Sequence, residues 1–446
     1  MIARLWAIGL SCLTLAIGTT VGAAEPILLK DSPAPPPGFP KFKVQEIDSG
    51  LKIGYAVIIE DINGDKKPDI VVVDQHKVVW YENPTWKKRV ILDGKTKPDN
   101  VCICALDIDG DGDLELVIGA GWKPFDTKNP GTLQWLKRGK SLDDEWTLHA
   151  IPCDEPMVHR VRVGDMNLDG KLEIIMAPLM GRESTKEKNW LDGRPVRILT
   201  YPIPANLTDM PSWKPRIISE ELRVVHNIDV IGYHRNYKNG NRTEYDLFTS
   251  SYEGVTQYDT RNGSKKDGTL IAQLPRKRLG DQSNPNSNRG SSEVAAIRHK
   301  SWPDFNWVAT VEPWHGNQIV IYLPAISVEN VGTIAPGDMH RSVIDDRLRW
   351  GHAIKFTDLD GDEIPELIAG VRDNPTKDDK FTEKRGVRIY RNTDGKGAKW
   401  ERYILEDGGV AVEDLAVGDL NGDGKPDIVA VGRATGNCRI YWNQGK

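Results

Sequence analysis

Cysteine is scarce in this chain, with five in 446 residues, and one of these, Cys12, lies in an apolar N-terminal run. Cys102 and Cys104 are two apart in a β-type stretch, so they project to the same side and are strained for a local bridge. With Cys153 and Cys438 they form no visible disulfide framework, and no Cys-x-x-Cys pair offers a zinc site. Charge of one sign is lacking too. Fifty-nine Lys and Arg against 64 Asp and Glu leave a net charge of −5. That balance gives no electrostatic drive toward nucleic acid, whose binding rests on phosphate neutralisation. No GxSxG, HExxH or phosphate loop occurs in the context its chemistry requires, which removes the commonest hydrolase, zinc-protease and nucleotide-binding classes.

The long apolar run that does occur is N-terminal. Arg4 precedes Leu5 to Ile17, and Val21-Gly22-Ala23 supplies the small-x-small pattern of a signal-peptidase site. Residues 1–23 are therefore expected to be a signal peptide and the mature chain to be secreted or periplasmic, without a membrane span. Residues 24–41 form a Pro-rich linker. Its Ser32 to Gly38 stretch cannot join a sheet ladder and reads as a polyproline spacer.

The remaining residues, 42–446, are dominated by one recurring pattern. Asp61-Ile-Asn63-Gly-Asp65 ends at Asp69, and Asp107-Ile-Asp109-Gly-Asp111 ends at Glu115. Asp165-Met-Asn167-Leu-Asp169 ends at Glu173, Asp358-Leu-Asp360-Gly-Asp362 at Glu366, and Asp419-Leu-Asn421-Gly-Asp423 at Asp427. Oxygen side chains at positions 1, 3, 5 and 9 suit a hard cation, so Ca2+ is expected there in a structural role. Each loop lies between short β-branched runs, giving strand, loop, strand. The gap from Asp165 to Asp358 fits three repeats, and two units without the loop fill it, Asn227 to Tyr252 and Ser292 to His315.

Seven units result. The last stops after Cys438-Arg-Ile-Tyr-Trp without an outer strand, while Phe42 to Ile47 is a strand with no unit before it. Adding that strand to the last unit closes a ring and hides the sheet edges. The expected fold is all-β, a seven-bladed β-propeller closed by its N-terminal strand. The repeats resemble the FG-GAP/VCBS repeats of integrin-like and secreted bacterial propellers. That resemblance implies the fold and the calcium loops and leaves the function open, because such propellers include adhesins, lectins and lyases.

Counting back six residues from the first position of each loop, with Gly232 and His299 as its equivalents in the two units without one, gives one register of the innermost strands: Tyr55, Val101, His159, His226, Glu293, His352, Glu413. A packed wall would place Val or Ile there. Six strand residues span about 20 Å, so this ring lies at the far end of the channel from the carboxylate loops. His159, His226, Glu293 and His352 are the expected ligands of a divalent transition metal such as Zn or Mn. The loops after the second strands open on the same face and bring Trp122, Arg182, Tyr252, Arg372, Arg433 and the stretch Glu312-Pro-Trp314-His315-Gly-Asn317. His315 or Glu312 is expected to move a proton, and Arg372 to orient a substrate.

Val311 to Gln318 and Trp350-Gly-His-Ala-Ile, with Val225-His226-Asn227 and Val158-His159-Arg160, look like the propeller part of aldos-2-ulose dehydratases. That resemblance implies a lyase or dehydratase acting on a sugar or keto-sugar such as anhydrofructose. The competing expectation is a non-catalytic calcium-binding propeller that recognises glycan or protein. A monomer is expected in either case.

Overall fold

The β-branched runs flanking each loop are strands, and the second strand of a blade is the most deeply buried. Ile70, Val71, Val72 and Val73 are all fully buried, as a strand covered on both faces by neighbouring sheets requires. The computed structural model describes residues 27–28, 33–237, 240–259, 288–298, 306–324, 339–377, 379 and 382–446. The expected signal peptide lies outside the described residues. Among the described residues no helix is long and apolar enough to cross a membrane.

Seven antiparallel sheets form seven blades. Their innermost strands are Ala56–Glu60, Cys102–Leu106, Val158–Gly164, Val225–Tyr237, Glu293–Arg298, Gly351–Thr357 and Val412–Gly418. Each touches the next, and the seventh touches the first, so the ring closes around a central channel. The closure is made as the sequence implies. Phe42–Asp48 pairs with Cys438–Asn443, Phe42 facing Asn443 and Val44 facing Tyr441. The N–H of Val57 in blade 1 also donates to the Asp414 carboxylate of blade 7 at 3.0 Å.

The described part of the linker is docked against the ring. Ile27–Leu28 pairs with Gln45 and Glu46, Phe39 is buried against Tyr403, and the Tyr403 hydroxyl donates to the Pro33 carbonyl.

The carboxylate loops share one design. In the first, the position-1 carboxylate of Asp61 accepts the N–H groups of Gly64 and Lys66, both at 2.8 Å. The position-9 carboxylate of Asp69 accepts the N–H of Ile62 at 3.2 Å. Asp107 with Glu115, Asp358 with Glu366 and Asp419 with Asp427 repeat this arrangement. Position 4 takes a left-handed backbone, φ 76° at Gly64 and 79° at Gly361, which is the reason for glycine there. Position 2 is apolar because it plugs the seam between blades. Ile62, Leu359 and Leu420 are buried, and their carbonyls accept from the following blade, through Arg138, Asn443 and Asn83.

Candidate functional site

Four of the seven register residues owe their orientation to a β-bulge. The pairing of the first two strands slips by one residue at His159, at His226, across His352 and Ala353, and at Glu413. A bulge leaves one residue unpaired and re-aims its side chain. Here it leaves buried polar side chains at one level of the channel in blades 3, 4, 6 and 7.

The imidazoles are then fixed by the neighbouring blade. His159 Nδ1 lies 2.9 Å from the His226 carbonyl, His226 Nδ1 lies 3.0 Å from the Ser292 carbonyl, and His352 Nδ1 lies 2.6 Å from the Glu413 carbonyl. A carbonyl only accepts, so each Nδ1 carries the proton and each Nε2 keeps its lone pair. His315 joins them from the turn after the second strand of blade 5. Its backbone is left-handed, φ 50°, and its ring is stacked with Trp314 at 4.2 Å. His315 Nε2 lies 2.8 Å from His226 Nε2.

The group brought together is therefore His226, His315 and His352, with ring nitrogens within 4.8 Å of one another. His315, expected to move a proton, stands among the candidate ligands. Burial holds all three imidazoles well below the usual histidine range, with Arg372 adding to it. They are neutral at neutral pH, as ligation requires. Three neutral imidazoles are a donor set that would suit a divalent transition metal such as Zn or Mn.

Glu293 and His159 stand beside this group. Glu293 Oε1 is 2.9 Å from His226 Nδ1, on the side of the ring away from His315, and Asn227 holds its other oxygen at 2.5 Å. It stands beside His226 and outside the three-imidazole group. The His159 ring is 4.9 Å from that of His226, with the Arg160 guanidinium 3.2 Å from both of its nitrogens.

Glu312 is not brought to the imidazoles. Thr310 and Tyr322 donate to one of its oxygens at 2.8 and 2.6 Å, and Arg341 holds the other at 2.7 Å. Strand alternation sends its side chain into the sheet of blade 5, whereas His315 lies beyond the strand end. Arg372 does face the site, 4.0 Å from Glu413 Oε2, while Arg433 holds Glu413 Oε1 at 2.5 Å.

Sequence reasoning does not find the unpaired atoms around this group. Among the described residues, Trp122 Nε1, Trp314 Nε1 and Arg289 Nε are buried donors without a hydrogen-bond partner, and Glu293 Oε1 and Glu413 Oε2 are buried acceptors without one. Glu293 Oε1 stays unpaired despite its nearness to His226 because that N–H is directed at Ser292. Other buried polar atoms of the described blades, among them Trp80 Nε1, Trp135 Nε1 and the Tyr201 hydroxyl, also lack a hydrogen-bond partner. Donors and acceptors together match groups that do both, whether water or ligand hydroxyls; a simple anion would satisfy only the donors.

The carboxylate loops lie at the other end of the inner strands. Asp107, Asp109 and Glu115, and Asp358, Asp360 and Glu366, bring oxygens within 4.8 Å of one another. Burial pushes Glu366 up to about 8 and Asp69 and Asp427 up to about 6. In blade 2 the Lys137 ammonium sits among Asp109, Asp111 and Glu115, 2.8 Å from Asp111. In blade 3 Arg216 and Thr200 hold Glu173.

No curated protein matches the chain. Among solved structures it is similar to BBS1N in complex with ARL6DN, at 12% identity over 89% of this chain and 95% of that chain, TM-score 0.49. It is also similar to the extracellular domain of a one-component system from B. thetaiotaomicron, at 12% identity over 90% of this chain and 40% of that chain, TM-score 0.45. Family comparison is more specific. The chain carries FG-GAP-like repeats at residues 61–118 and 358–430, and residues 130–325 between them match the β-propeller domain of aldos-2-ulose dehydratase.

Proposed function

We propose that this chain is a secreted or periplasmic metal-dependent lyase or dehydratase that acts on a sugar or keto-sugar at the mouth of the propeller channel. The observation that carries the proposal is the convergence of His226, His315 and His352 amid unpaired donors and acceptors. A divalent Zn or Mn held by the three imidazoles would polarise a carbonyl. Arg372, 4.0 Å from Glu413 Oε2, would orient the reacting oxygen. With His315 drawn into the imidazole group and Glu312 turned into its own sheet, Glu293 and Glu413 are the carboxylates at that level that each keep an oxygen without a hydrogen-bond partner among the described residues. Trp122 and Trp314 give the ring faces and indole N–H groups that sugars favour. The match to a dehydratase propeller over residues 130–325 points the same way.

The test is elemental analysis of the purified protein, read beside turnover of anhydrofructose, for wild type and His226→Ala. The expected result is a transition metal in the wild type, lost with activity in the variant. A metal-free wild type that still binds sugar would instead favour a glycan-recognition module, which the same unpaired donors and acceptors would serve.

A further inference from the structure

The loop after the second strand of blade 2 carries two aromatic residues with opposite surroundings. The Trp122 ring turns inward, 6.2 Å from the His159 ring and 6.5 Å from that of Tyr55. Phe125 turns outward and is 59% exposed, an unusual position for a large apolar side chain. It is nevertheless held in place. Its ring is stacked on Trp190 of blade 3, 5.2 Å between centroids and 10° between planes.

Both residues sit in left-handed backbone, φ 64° at Phe125 and 62° at Trp190. Aromatic residues rarely adopt that conformation, and it marks geometry enforced by its surroundings. The two loops are also tied together. Glu183 N–H donates to the Thr127 carbonyl at 3.0 Å, and the Thr127 hydroxyl donates to the Ser184 carbonyl at 2.9 Å. Beneath Phe125, Trp190 packs in one apolar cluster with Tyr252, against which Trp122 and Trp314 rest. The exposed ring is therefore the outer end of an aromatic ridge that begins at the imidazoles.

We propose that Phe125 is an outer saccharide subsite, so that the ligand is an oligosaccharide with one end at the imidazoles and a later unit stacked on Phe125. The inference rests on the saccharide reading of the pocket and extends it from a single sugar to a chain. Trp122 turns inward toward His159 and Tyr55 whereas Phe125 turns outward onto Trp190, so a single sugar ring lying against Trp122 would not also lie on Phe125. A flat, pre-ordered aromatic face stacks on the apolar face of a sugar at little entropic cost.

The experiment is binding of the full chain to an array of oligosaccharides of graded length, for wild type, Phe125→Ala and Phe125→Trp, with metal content and Tm measured on each. Wild type should bind longer chains better than single sugars. Phe125→Ala should lose about tenfold of that affinity while keeping its metal, its Tm and its binding of single sugars, and Phe125→Trp should keep the preference for length. Equal binding of long chains by wild type and Phe125→Ala overturns the subsite. So does a shift from dimer to monomer in Phe125→Ala, which would make the ridge a contact between copies. If no sugar binds the wild type, the saccharide reading falls and the subsite with it, and the metal content shows separately whether the imidazole site survives.

Discussion

Blades 1, 2, 6 and 7 carry the carboxylate loop almost bond for bond, and blades 4 and 5 lack it. Blade 4 instead prolongs its first hairpin, with Val225–Tyr237 paired against Gly240–Ser251 out to Tyr237 and Gly240. These two loop-less blades supply His226, Glu293, Trp314 and His315, the densest part of the site. The difference separates two tasks. Where the ring needs only to close, one motif satisfies its own backbone and plugs the seam to its neighbour. Where the imidazoles gather, the chain departs from the motif.

The sharpest way to break this division is to exchange the two effects. His226→Ala in blade 4 should reduce bound transition metal to about a tenth or less and leave Tm nearly unchanged. Asp360→Asn in blade 6 should keep that metal and lower Tm, and elemental analysis beside thermal unfolding separates them. Reversed outcomes would show that the loops, not the imidazoles, hold the functional metal.

Closure is the next largest effect. Deleting residues 42–47 removes the strand that completes blade 7 and opens sheet edges on both sides of it, so no soluble folded monomer is expected. Deleting residues 24–38 removes the Ile27–Leu28 pairing and the Tyr403 contact, and should lower Tm by a few degrees. Equal tolerance in circular dichroism melts would mean the ring does not depend on its N-terminal strand.

Glu312→Gln tests the assignment within blade 5. The half-exposed Arg341 loses its counter-charge inside the sheet, which should cost about 2 kcal/mol in urea unfolding. Metal content should be unchanged. Loss of metal would place Glu312 in the site after all.

The smallest effect is a pH dependence in EGTA. Glu366, pushed up to about 8, and Asp69 and Asp427, at about 6, bind protons more tightly folded than unfolded. Stability should therefore rise as pH falls through about 8 and decline as it rises again. Below about 6.5 the buried imidazoles act oppositely, since they stay neutral when folded but charge when unfolded. Saturating calcium should flatten the upper part of the profile, because it keeps the carboxylates ionised. An unchanged profile with calcium would mean the loops do not take it.

The sequence discloses whatever repeats. The Asp-x-Asn/Asp spacing gives the blades, the unpartnered Phe42 to Ile47 gives the closure, and the common register gives His159, His226, Glu293 and His352 on one level. What it does not disclose comes from irregular backbone. Nothing in Pro313-Trp314-His315 announces the left-handed turn that drops His315 onto His226. The bulges leave no compositional mark either, apart from Gly351 beside His352. Glu312 misleads because it neighbours the right turn, yet strand alternation sends it into the sheet. The docked linker misleads similarly, since proline run rules do not register a buried Phe39.

The bulges also change how the channel can be altered. A residue that stands outside the ladder can be replaced without disturbing pairing on either side, much as a substituent is exchanged on a fixed scaffold. The ring offers four such seats at one level, occupied here by His159, His226, His352 and Glu413, whereas Glu293 is paired within its ladder opposite Val311. New chemistry could be written into those seats one blade at a time, while the closed cylinder behind them stays as it is.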